Sequence, residues 1–185
     1  MSFIDFQTTE QLREILEDKP NGWSSCISAR AAQRALPFMA SDTEEFILAH
    51  APTAFRCNIV CWSAYNAPAQ SVSAALRLLD ILMIPDELGS VVGNPKSHAG
   101  AYAIESALAA VDAQFNDPFT PSTSACHAVE DGARAASSFT YGKHGSAELA
   151  DGEHHRSWNA VSIDYDWLVR NSSDSAVRVI RVRTH

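Results

Sequence analysis

Residues 27–39, ISARAAQRALPFM, decide the fold. Advance 100° per residue with Ile27 at zero. Ala31, Ala32, Ala35, Leu36, Phe38 and Met39 then fall within one half-turn of arc. Gln33 and Arg30 fall opposite, and Arg34 lies at the border. The pattern is an amphipathic helix whose inward arc is mostly alanine. Side chains that small let a neighbouring helix approach closely. The same texture recurs over 73–82, 99–111 and 125–136. The expected fold is all-α, a single-domain bundle of six or seven helices packed through alanine.

The 185 residues suit one domain with a sizeable core. A hydrophobic fraction of 46% and a charged fraction of 19% are ordinary for a globular chain. The net charge of −8 weighs against a phosphate-binding surface, which draws on clustered Lys and Arg. The opening MSFIDFQTTEQ has neither the basic start nor the long apolar run of a secretory signal. No window approaches the roughly 18 apolar residues of a membrane span. Four cysteines in such a chain read as reduced thiols, so the cytoplasm is the expected compartment.

Helix punctuation divides the chain. Thr8 with Gln11 resembles a capping box, and Leu12, Ile15 and Leu16 form a stripe that stops near Asp18, before the turn Lys19-Pro20-Asn21-Gly22. A second helix runs from about Trp23 to Ala40, with a kink or early stop at Leu36 imposed by Pro37. Ser41 and Glu44 make another capping box, and Pro52 breaks the helix it opens or starts a new one. Residues 53–65 are apolar on all sides, which predicts the central, buried helix. Pro68 to Met83 predicts another helix, and 86–97 a long loop. Helices follow over 99–115 and from Thr120-Pro121 to about Phe139. Residues 140–152 read as a Gly- and Ser-rich loop, and the last helix as His154 to Asn171. The helical domain is thus 1–171. Residues 172–185 form a short basic tail or strand.

No motif carries a chemistry by itself. Cys57 and Cys61, four apart on a helix, share a face and with Cys126 and His127 would supply a Cys₃His zinc set. They flank Ile59 and Val60, so the plainer reading is buried core thiols, and no cofactor is expected. Glu153, His154, His155 and Asp164 are the residue types of a metal-dependent hydrolase, with His98 or His144 supplied from loops. Adjacent histidines on a helix diverge by about 100°, which favours a merely polar helix start. Gly89 to Asn94 lacks the G-K-[ST] of a phosphate loop, and no serine sits in a G-x-S-x-G elbow.

Trp158 and Trp167 are nine apart on the last helix and so project to opposite sides. Only one can face the core, and the expectation is Trp158 inward with Val161, Tyr165 and Leu168. Tyr165-Asp166-Trp167, with Arg178, Arg181 and Arg183 of the tail, then forms a contact surface. The leading functional expectation is a protein–protein interaction module whose partner is another protein or a second copy. The alternatives are the hydrolase and, last, a nucleic-acid binder. Three arginines on an acidic body give the last a small footprint.

Overall fold

A computed structural model describes residues 4–41, 43–66, 95–115 and 120–171, with the backbone alone at 41, 62–66, 95–98 and 115. Helices α1 (Thr9–Glu17), α2 (Asn21–Ala35), α3 (Glu44–Asn66), α4 (Pro95–Phe115), α5 (Pro121–His144) and α6 (Ala147–Asn171) form a bundle, with a 3₁₀ turn over Leu36–Ser41. There is no strand among the described residues. None of the described helices is long and apolar enough to cross a membrane. The all-α bundle expected from the sequence is the observed fold.

Several boundaries follow from local chemistry as expected. The Thr8 hydroxyl accepts from the Gln11 amide to start α1. Gln11 returns the bond to Gln7 rather than to Thr8 itself, at 3.0 Å. The second helix gives way to the 3₁₀ turn at Leu36, one residue ahead of Pro37. Thr120 caps α5 and Pro121 occupies its first turn.

Other expectations fail for identifiable reasons. The cap of α3 is Thr43, whose Oγ1 accepts from the Phe46 amide at 3.3 Å, and not Ser41. Pro52 neither ends nor starts a helix, because α3 runs through it. Pro52 and Leu48 both face outward, so the carbonyl deprived of its amide donor meets water. The predicted loop 140–152 contracts to Gly145 and Ser146. Gly145 takes the left-handed conformation at φ +65° and donates to the Tyr141 carbonyl at 2.7 Å. The Ser146 hydroxyl accepts from the Leu149 amide, so one residue stops α5 and the next starts α6. Helix α4 likewise begins at Pro95, which puts His98 on a helix. The predicted helix 68–83 and residues 86–94 of the loop lie outside the described residues.

The central helix is α5, not α3. It packs against α4, α6, α2 and α1. Its buried residues are Ser, Ala, Cys, Gly and a single Val, on several faces. On one side Ala125, Cys126, Val129 and Ala133 join Phe6, Leu12, Leu16, Trp23, Ile27, Trp158 and Leu168. On the other, Ala128 and Ala135 join Ala32, Met39, Phe46, Cys57, Ile104 and Ala107. Gly132 marks a close crossing, where a Cβ would stand 3.4 Å from the Ala31 carbonyl oxygen and from Ser106 Oγ. Buried serines then bond across these contacts: Ser106 to the Ala128 carbonyl at 2.7 Å, and Ser25 to that of Ala113 at 3.3 Å. Helix α3 lies on the periphery. Leu48, Phe55 and Ile59 form an exposed stripe along it, with Ile59 62% exposed, while Cys57 and Cys61 turn inward. Its apolar sequence therefore reflects two apolar faces, only one of which the described residues cover.

A buried ion pair joins α2 to α6. Asp164 is 2% exposed, in the apolar stripe of α6. Arg30 reaches it at 3.1 Å, and Arg34 bonds its second oxygen. The arginines themselves keep about 40% of their side chains in solvent. The joint is therefore asymmetric, since loss of the arginines strands a buried charge and loss of the aspartate does not. The double variant Arg30→Ala/Arg34→Ala is expected to lose about 3–5 kcal/mol in urea unfolding at pH 7. Asp164→Asn is expected to lose distinctly less. Equal losses would show that the carboxylate is not the desolvated partner.

Candidate functional site

The groove between α2 and α6 gathers the features of a contact site. Trp158 is buried at 2% exposure and Trp167 is 47% exposed. Trp167 is nonetheless held in place, because the Arg30 guanidinium lies over its ring at 5.6 Å. Arg30 is fixed in turn by Asp164. Ile163, one turn earlier on α6, is also exposed. Further along the groove a cleft of about 200 Å³ opens over α5. Its floor is Ala31, Val129, Gly132, Ala133, Ala136 and Ala160, with Phe38 as a wall. Arg34, Glu153 and Arg156 stand at its rim. The cleft exists because α5 offers almost no side-chain volume here.

A second cleft, about 370 Å³, lies between α1 and α5. It is lined by Glu10, Arg13, Cys126, His127, Glu130, Asp131 and Arg134 among others. Burial, with Glu105 of α4 and Glu130 adding negative charge, pushes the Asp131 carboxyl up to about 7 against the pull of Arg134. Burial also raises Glu105. Glu130 moves the other way, drawn down by the nearby His154 ring, whose Nε2 stands 3.6 Å from Oε2, and by Arg134, which bonds Oε1 at 3.0 Å.

The sequence-predicted residues divide differently from expectation. Glu153, His154, His155 and Asp164 do not form one site. Glu153 pairs with Arg156, His154 with Glu130 and Asp164 with the two arginines, while His155 is exposed. Of the contact patch, Tyr165 belongs to the core, with Phe6 and Trp23 edge-on to its ring at 5.2 and 5.4 Å. Asp166 pairs with Arg170 beside Trp167. Arg178, Arg181 and Arg183 lie outside the described residues. His144 is exposed at the end of α5.

The thiols stand apart. Cys57 and Cys61 lie in the core between α3 and α4, whereas Cys126 lies in the opposite one and donates to the Thr9 carbonyl. Among the described residues no group of three or more His, Cys, Asp or Glu could hold a metal ion. Burial pushes the Cys57 thiol up to about 11 and the Cys126 thiol to about 12, and raises Cys61 further.

Sequence reasoning missed Arg30 and Arg34, read as a solvent face, and the carboxyls Glu105, Glu130 and Asp131. One signal was present. Asp164 lies within the apolar stripe 158, 161, 165 and 168, and an acid there must find a cation. Comparison of the chain with family models, with curated proteins and with solved structures finds no match.

Two measurements check these environments. In the folded protein Asp131 keeps its proton up to about pH 7, against 3.8 as the ordinary value. Its contribution to stability therefore falls as pH rises between those values, and above pH 7 the fold carries a desolvated carboxylate. Asp131→Asn cannot ionise, so its melting temperature relative to the parent should rise from pH 5 to pH 8. A difference independent of pH would refute the assignment. Thiol reagent at pH 8 should leave Cys57, Cys61 and Cys126 unmodified until denaturant is added. Rapid native labelling of all three would refute their burial.

Proposed function

We propose that this chain is a cytoplasmic protein–protein interaction module that engages its partner through the α2/α6 groove. The observation that carries the reading is Trp167. A half-exposed indole braced by an arginine, itself anchored to a buried carboxylate, loses little conformational freedom on binding. Trp and Arg are also the residue types that most often dominate binding energy. The partner is another protein or a second copy of the chain. The rival, a metal-dependent hydrolase built on Glu153, His154, His155 and Asp164, gains no support, since these side chains are committed to different neighbours.

The test separates packing from contact. Trp158→Ala is expected to cost about 3–5 kcal/mol, as for a buried indole. Trp167→Ala should cost under about 1 kcal/mol, the range of an exposed site with one cation–π contact. It should weaken self-association or partner capture at least tenfold, measured by sedimentation or by pull-down from native lysate. Comparable destabilisation by both variants, with binding of the folded Trp167→Ala protein intact, would end the proposal.

A further inference from the structure

We infer that the cleft over α5 is a socket for one bulky apolar side chain of an acidic, amphipathic helix, a second anchor of which rests on Trp167. The inference rests on the proposed use of this groove and adds the chemistry of its occupant.

Size sets the first constraint. The cleft measures about 200 Å³, below the roughly 300–1,000 Å³ of pockets that enclose small-molecule ligands. A dry cavity of about 150 Å³ accepts a benzene ring. One phenyl or leucyl side chain therefore fits this cleft, and a cofactor does not. Its floor of alanines, Gly132 and Val129 presents no hydrogen-bonding side chain, and the Ser157 hydroxyl in its lining already donates to the Glu153 carbonyl at 3.1 Å, so an apolar group enters without stranding a polar one.

Charge sets the second. Arg30, Arg34 and Arg156 lie along the groove with Glu153 and Asp164. The cations stand outermost. Arg156 is 70% exposed and Arg30 and Arg34 about 40%, whereas Glu153 is 33% exposed and Asp164 3%. On a chain of net −8, this groove turns guanidinium groups toward solvent, so it selects an acidic partner.

Spacing sets the third. From Ala160 at the cleft to Trp167 is seven residues of α6, about 10 Å at helical rise. A helix lying in the groove presents apolar residues i and i+7 at that separation. The occupant is therefore helical, acidic, and apolar at two positions two turns apart.

The experiment uses the full chain and a fluorescein-labelled helical peptide with Phe at i and i+7 and Glu at the flanking exposed positions, followed by anisotropy. The peptide should bind and lose affinity at least tenfold when either Phe becomes Ala. A Lys-for-Glu peptide of the same pattern should bind at least tenfold more weakly. Arg156→Glu, on a side chain mostly in solvent, should weaken the acidic peptide several-fold and flatten its salt dependence. Ala160→Leu, which fills the cleft from α6, should abolish the effect of the first Phe while leaving that of the second. Circular dichroism establishes that each variant is folded. No binding above that of a scrambled peptide, or equal binding of the Lys peptide, overturns the inference. So does indifference to both Arg156→Glu and Ala160→Leu. If Trp167→Ala still abolishes capture of the native partner in that case, the interaction reading stands and only the occupant assigned here is wrong.

Discussion

Helix α5 can be surrounded because almost nothing projects from it. Four helices meet it, and away from the cleft a Leu or Phe at one of its inward positions would push a neighbour away. Alanine burial releases little hydrophobic free energy per residue. The gain lies in how closely the backbones then approach and in the number of dispersion contacts made. Ser106 and Ser25 exploit that proximity, reaching carbonyls on adjacent helices that larger neighbours would hold out of range. The two halves of the core lie on either side of this thin partition. Large side chains arrive from the outer helices, as with Trp23, Trp158 and Ile104, and from the segment before α1, as with Phe6.

The joint at Asp164 performs two tasks with one carboxylate. It pins α6 to α2, which no hydrophobic contact alone would do in a fixed register. It also holds Arg30 under Trp167 and Arg34 at the lip of the cleft. Buried ion pairs contribute little net stability, because desolvation offsets the attraction. Their usefulness here is directional, since each carboxylate oxygen is held by a different arginine, Oδ1 by Arg30 and Oδ2 by Arg34. The surface of the groove is thus already ordered by a group beneath it.

Fold class was legible from the sequence because helical periodicity and caps are local. Thr8, Thr120 and Pro121 each act within four residues of themselves, and the structure places them as read. The failures divide between local chemistry that composition masks and neighbours distant along the chain. Residues 53–65 look like a central helix by composition, yet Phe55 and Ile59 face outward among the described residues. Residues 140–152 look like a loop by composition, yet one glycine at positive φ satisfies the whole reversal. Burial of Trp158 and exposure of Trp167 followed from their angle on one helix. That Arg30 would stack on Trp167 did not, because the two lie far apart in the chain and helical periodicity gives no inter-helix register. The carboxyls around Asp131 were invisible for the same reason, since Glu105 is contributed by a different helix.

The two halves of the core also differ in when they can form. The one shared by α2, α3, α4 and α5 draws on residues no later than Ala135. The other includes Phe6 at one extreme and Leu168 at the other, and the Phe6 amide donates to Ser162 Oγ at 2.9 Å across 156 positions of sequence. A ribosome delivering about 5–20 residues per second needs roughly two to seven seconds to add residues 136–168. During that interval the described residues of the first half are all present, while Trp23, Ile27 and Val129 still lack the helix that covers them. The nascent chain thus passes through a stage in which the described apolar layer on one side of α5 can assemble while the surface on the other side is still bare, and bare apolar surface of that kind is what invites aggregation.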